Sequence, residues 1–234
     1  MKIRALLFIL LFAPLIALAA DAPPPKVNRV LSAAEQAALT PDDVIVLFQK
    51  GNERFVSGDI TSRDHSAMVR QAALGQHPKA IVLSCIDSRV PVEDVFDRGI
   101  GDVFVARVAG NFENTDILGS MEYATKVSGS KVILVLGHTE CGAIKSAIDG
   151  VELGNITAML AKIKPAIDSL AGYSGEHTSA NTEYVRQVTE QNVRLTMDNI
   201  RKHSPIIAQL EQAGDVKIVG GIYDMHTGAV QVLD

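Results

Sequence analysis

The sequence predicts an α/β fold: a single domain with a mainly parallel central sheet flanked by helices, a C-terminal strand hairpin and an N-terminal helical arm. Three observations carry this reading. The segments Ala80 to Ser84, Val103 to Val108 and Val132 to Leu136 are short, continuous and rich in β-branched residues, as strands buried on both faces are. Helical patterns lie between and after them, the order expected of parallel strands joined by crossover helices. The length of 234 residues suits one sizeable domain and is too short for two generous ones.

The elements follow in order. Lys2 and Arg4 precede an apolar stretch from Ala5 to Leu18, and Ala17-Leu18-Ala19 supplies small residues for cleavage, so residues 1–19 are expected to be a signal peptide. The run is shorter than the ~20 residues of a membrane span. Residues 20–38, which include Pro23-Pro24-Pro25, are expected to form a linker or arm ahead of a domain at 39–234. Thr40-Pro41-Asp42-Asp43 has the chemistry of a helix start, with a cap, a proline in the first turn and two acids. That helix should run to about Phe55 and stop near Gly58, followed by a second from Ser66 to Leu74. Further helices are expected over Asp116 to Val127, from near Cys141, over Asn155 to Leu170 and over Asn181 to Lys202. Val216 to Tyr223 and Ala229 to Leu233 should pair as a hairpin turned at His226-Thr227-Gly228.

Composition narrows the function. A chain 47% hydrophobic and 21% charged is globular, and a net charge of -5 without a basic stripe argues against nucleic acid as a partner. Once the leader is removed, no membrane-spanning stretch is expected, and the mature protein should be periplasmic or secreted. In an oxidising compartment two cysteines, Cys85 and Cys141, suggest a disulfide by default, which would make the chain an exported scaffold.

Their surroundings point elsewhere. In a doubly wound sheet, ligands bind at the carboxyl ends of the strands. Cys85 follows the first predicted strand, and Cys141 follows the third in Gly137-His138-Thr139-Glu140-Cys141-Gly142. This Gly-to-Gly turn is not a phosphate loop, because Ala143 and Ile144 stand where Lys and Ser or Thr are needed. An imidazole and a thiolate three residues apart can hold one borderline cation, although on spacing alone a satisfied histidine beside a buried cysteine is the plainer reading. The other half is Cys85-Ile86-Asp87-Ser88-Arg89. In an extended segment Cys85, Asp87 and Arg89 share a side, setting a carboxylate and a guanidinium beside a centre of Cys85, His138 and Cys141. Three protein ligands with an open fourth position is the pattern of a catalytic zinc. An ordinary ion pair at a strand end is the plainer reading of Asp87 and Arg89.

Cys-x-Asp-Ser-Arg after one strand and His-x-x-Cys-Gly after another resemble the β-class carbonic anhydrases. The similarity extends from about Leu39 to Leu233. It includes Gly51-Asn52-Glu53-Arg54-Phe55 and Arg107-Val108-Ala109-Gly110-Asn111. The resemblance implies one zinc ion per chain on Cys85, His138 and Cys141, and reversible hydration of carbon dioxide. A related zinc hydrolase of carbonyl sulfide or carbon disulfide is the alternative within the same family. Asp87 and Arg89 are implied as the catalytic pair, with Asp87 orienting the nucleophile and Arg89 gripping Asp87. Gln76 is implied as an amide donor to substrate, Phe104, Val108 and Tyr123 as an apolar pocket, and the Gly142 amide as a support for bicarbonate. The family also implies a homodimer or higher homo-oligomer with shared pockets. One branch places a Trp three residues before the first zinc cysteine as part of an inhibitory bicarbonate site; here Val82 stands there.

Overall fold

The computed structural model of the chain describes residues 26–233. The expected signal peptide, and the part of the expected arm before Lys26, lie outside them. The elements are α1 (Ala33–Ala38), α2 (Pro41–Ser57), α3 (His65–Ala72), β1 (Ala80–Ser84), α4 (Val92–Val95), β2 (Val103–Arg107) and α5 (Thr115–Glu122), which continues as a π-helical turn (Tyr123–Val127). After these come β3 (Val132–His138), α6 (Gly142–Ile148), α7 (Gly154–Leu160), α8 (Lys164–Asp168), α9 (Thr182–His203), α10 (Pro205–Gln212), β4 (Lys217–Tyr223) and β5 (Val230–Leu233).

The strands form one sheet in the order β2-β1-β3-β4-β5. The first four run parallel, and β5 returns antiparallel to β4. β1 and β3 are buried along their whole length, which is why their sequences are continuous apolar runs. Successive residues serve opposite faces. Ile81, Leu83, Ile133 and Val135 pack with Val193 and Ile200 of α9 and Ile207 of α10. Val82, Leu134 and Leu136 pack on the other face with Val44 and Phe48 of α2 and with Phe96, whose ring stacks on Phe48 at 4.7 Å. Each such aliphatic side chain contributes ~1.5–3 kcal/mol by leaving water, so the sheet is the rigid platform from which the loops at its carboxyl end project.

The first long helix begins as expected, with Thr40 and Asp43 forming a reciprocal capping box and Pro41 in the first turn, and it stops at Gly58 in the left-handed conformation. Gly51 is obligatory here, since a Cβ would lie 1.9 Å from the Phe96 carbonyl oxygen. Beside it, Asn52 donates to the Val95 and Gly228 carbonyls and accepts from the Val230 amide. The Gly51-to-Phe55 motif therefore fastens α2 to the end of α4 and to the C-terminal hairpin.

Two expectations need correction, and further features were not expected. The single helix expected over Asn155 to Leu170 is two, α7 and α8, because Pro165 lacks an N–H and its ring would strike the carbonyl one turn back. The Asp116-to-Val127 helix ends in a π turn, closed by the Ser128 amide on the Tyr123 carbonyl at 2.9 Å. Helix α10 was not anticipated, although Ser204 caps it through the Ile207 amide with Pro205 in the first turn. The segment after Cys85 is not extended through Arg89: it turns at Ser88 and Arg89, and the Val90 amide bonds the Asp87 carbonyl at 3.2 Å.

In the arm, Val27 bridges Arg63 and α1 docks through its buried Gln36, which donates to the Pro78 and Ser128 carbonyls at 2.7 Å each. The terminal hairpin turns where Asp224 accepts from the amides of His226 and Thr227. Among the described residues no helix is long and apolar enough to cross a membrane.

Candidate metal centre

β1 and β3 are adjacent and parallel, so their carboxyl ends bring Cys85 and His138 together. The turn after β3 supplies the third group. Glu140 there adopts φ 57°, a left-handed conformation that a non-glycine residue rarely takes, and Cys141 becomes the N-cap of α6. The ligand atoms of Cys85, His138 and Cys141 all lie within 4.8 Å of one another, and all three residues are buried. Both cysteines are free, so the disulfide reading fails.

A soft-to-borderline dication fits this group on the evidence of its own atoms. His138 Nδ1 lies 2.8 Å from the Thr139 carbonyl, an acceptor only, so the proton sits on Nδ1. The lone pair on Nε2 is thereby directed into the site, and Nε2 is a buried atom without any hydrogen-bond partner. The thiols make the same argument. Cys85 is drawn towards thiolate, chiefly by a hydrogen bond from Cys141, while the Cys141 thiol is held neutral by Cys85 and by burial. Ionisation of one sulfur thus opposes ionisation of the other, and a dication between them would let both ionise. Two thiolates and an imidazole are donors of the kind that would hold a catalytic zinc.

Asp87 stands beside this cluster. Its Oδ2 is 3.9 Å from His138 Nε2. Arg89 grips it by two parallel bonds, Nε to Oδ1 at 2.9 Å and Nη2 to Oδ2 at 2.8 Å, and its amide adds a third at 3.0 Å. The Arg89 hydrogen bonds hold the Asp87 carboxyl near a pKa of about 2 against the opposing effect of burial. Arg89 also reaches the Glu140 carbonyl at 3.3 Å, so the dyad bridges the loops after β1 and β3. At the start of α6 no side chain caps the helix, and Gly142 faces open space.

The expected pocket residues are dispersed. Phe104 and Tyr123 meet edge to face at 6.4 Å and line an open cleft of about 770 Å³ along β2 and α5. Val108 packs between the core and the metal centre, and its amide bonds the Ser84 carbonyl at 3.1 Å. Gln76 is exposed and precedes β1, at the end of the sheet opposite the metal ligands. Sequence reasoning missed the support of Cys85. The Gly110 amide lies 3.5 Å from Cys85 Sγ, and Gly110 has φ 83° with Ile163 only 2.6 Å from where a Cβ would be. The Arg107-to-Asn111 motif was its only sign in the sequence.

Comparison with known proteins shows the family. The carbonic anhydrase family model matches residues 80–230. A carbonic anhydrase of Mycolicibacterium smegmatis is 35% identical over 78% of this chain and 88% of its own length. Carbonic anhydrase 2 of Mycobacterium tuberculosis is 33% identical over 80% of this chain and 89% of its own. Among solved structures, a β-carbonic anhydrase of Aspergillus fumigatus superposes with a TM-score of 0.66 at 26% identity, covering 73% of this chain and 82% of that one. A tetrameric β-carbonic anhydrase of Sordaria macrospora gives 0.63 at 26% identity, covering 70% and 85%. These relatives favour carbon dioxide hydration over hydrolysis of carbonyl sulfide or carbon disulfide. The chain belongs to the β-carbonic anhydrase family, zinc lyases that interconvert carbon dioxide and bicarbonate.

Proposed function

We propose that Cys85, His138 and Cys141 hold the zinc and that Asp87 and Arg89 are the dyad that makes the centre catalytic. The single observation that carries this is the buried, unpartnered His138 Nε2 with the gripped Asp87 carboxylate 3.9 Å away. Zinc, when bound, supplies a Lewis acid that makes water a competent nucleophile near neutral pH. Asp87, ionised throughout that range, accepts the hydrogen of the attacking oxygen and so turns a lone pair towards carbon dioxide. Arg89 occupies both carboxylate oxygens, which orients Asp87 and restrains it from becoming a ligand itself. The Gly142 amide, at the start of α6, suits an anionic oxygen of bicarbonate.

Gln76 reaches a metal centre only from a second copy. The five residues of β1 separate it from the Cys85 loop of its own chain, ~16 Å at ~3.3 Å per residue. The exposed apolar side chains Ile86, in the site loop, and Tyr123, over the Phe104 cleft, support the same assembly. The working unit is a homodimer or a larger homo-oligomer, with Gln76, Phe104, Val108 and Tyr123 around a shared substrate pocket. Export to the periplasm or medium rests on the basic, apolar and small-residue pattern of residues 1–19.

The test is zinc content together with stopped-flow carbon dioxide hydration on the mature protein. One zinc per chain is expected, and changing Cys85, His138 or Cys141 to Ala should abolish metal and activity together. Full activity without metal would overturn the assignment.

A further inference from the structure

We propose that Arg107 is a positioning residue that holds the metal-site loop in register, acting on the reaction through the backbone of Asp87 and Cys85. Its guanidinium gathers three main-chain carbonyls of that loop. Nε donates to Cys85 at 2.8 Å, and Nη2 donates to Asp87 at 2.7 Å and to Val90 at 3.0 Å. Carbonyl oxygens that converge on one point repel one another unless a cation with several donors lies between them. The planar fork of arginine meets that need, and a single ammonium does not.

The anchor is rigid. Arg107 is the last residue of β2, paired in register with Ser84, and the next amide, Val108, bonds the Ser84 carbonyl. One residue at the end of β2 thus fixes the main chain of the first thiolate ligand and of the carboxylate beside it. Arg89 governs the Asp87 side chain, and Arg107 governs the peptide from which that side chain projects. The Asp87 carbonyl also accepts from the Val90 amide, so the turn that brings Arg89 back onto Asp87 closes on the atom Arg107 holds. This inference rests on the proposed role of Asp87.

The experiment is a double-mutant cycle on the zinc-loaded protein, with Arg107→Met and Arg107→Lys each made alone and in the Asp87→Asn background. Arg107→Met should lower kcat/KM about 10–100-fold, the usual scale for supports behind a metal site. In the Asp87→Asn background the same change should cost less than about threefold, since the carboxylate it positions is gone. Arg107→Lys keeps the charge and should still lose most of the effect. A further readout is zinc transfer to excess chelator, which should be about tenfold faster in Arg107→Met because the Cys85 peptide is released. If Arg107→Met does not fold, Arg107→Lys carries the same comparisons. Additive losses in the two backgrounds, wild-type kinetics for Arg107→Lys, or unchanged zinc release would each overturn the proposal. Wild-type kinetics for Asp87→Asn alone would instead sink the dyad.

Discussion

Asp87 Oδ2 lies 3.9 Å from His138 Nε2, the one ring nitrogen of that buried histidine without a hydrogen-bond partner. In the proposed site the Arg89 grip on both carboxylate oxygens, rather than distance, restrains Asp87 from joining the ligand set. Asp87→Asn should therefore retain zinc while the hydration rate falls by on the order of a hundredfold, the scale of a misoriented reacting group. The asparagine amide would also set donors against the Arg89 donors. Metal analysis and stopped-flow kinetics on the same preparation check both halves.

Activity between about pH 6.5 and 9 should rise towards alkaline pH without a bicarbonate-dependent shutdown at the acidic end. The Asp87 carboxyl is held near a pKa of about 2, so it loses its charge only far below this window and contributes no step within it. Two thiolates weaken zinc as a Lewis acid relative to three neutral histidines, which favours hydroxide only as pH climbs. Val82 is fully buried among Val44, Phe48 and Val95 and offers no wall for an inhibitory bicarbonate pocket. Rates with and without added bicarbonate, corrected for product inhibition, decide this; a steep cooperative loss deepened by bicarbonate would refute it.

Asp97 should be a main source of acid sensitivity in folding. It is buried with φ 48° and accepts from Arg54, Arg63 and Thr61. Burial opposes its charge, yet the Thr61, Arg63 and Arg54 hydrogen bonds hold its pKa down to about 2. A carboxyl whose folded pKa lies below its unfolded value of ~3.9 stabilises fully above that value and loses the contribution as pH falls through the folded one. Asp97→Asn should cost ~3–5 kcal/mol at neutral pH, the scale for stranding one side of a buried ion pair. Urea unfolding of both proteins should show the gap narrowing from about pH 4 towards pH 2. A gap independent of pH would exclude an ionised Asp97 as its source.

Sharing of the pocket between copies is open to complementation. Gln76→Ala and Asp87→Asn should each be slow alone. Mixed dimers of the two should regain activity, because one site then combines an intact Asp87 with a Gln76 from the other chain. No recovery on mixing and re-association, or sedimentation of an active monomer at assay concentration, would refute a shared site.

Much of this was legible in the sequence because it is local. Continuous apolar runs, the Thr40 capping box and the stop at Gly58 place β1, β3 and α2 within a residue or two of where they lie. The Cys-x-Asp-Ser-Arg and His-x-x-Cys motifs foretell the cluster of Cys85, His138 and Cys141 with Asp87 and Arg89 beside it because their side chains issue from neighbouring strand ends. Tertiary structure decided what depends on distant partners or on the path of the main chain. The turn at Ser88 and Arg89 forms because Arg89 folds back onto Asp87 while Arg107, from another strand, collects the carbonyls of the same loop. That Gln76 lies before β1, at the end away from Cys85, was readable from the strand between them. Pro165 was readable as a helix breaker, whereas the π turn after α5 required the packed chain. Periodicity and capping act over a few residues, but a carbonyl clamp or a buried carboxylate shared by Arg54 and Arg63 exists only once the sheet has brought its elements together.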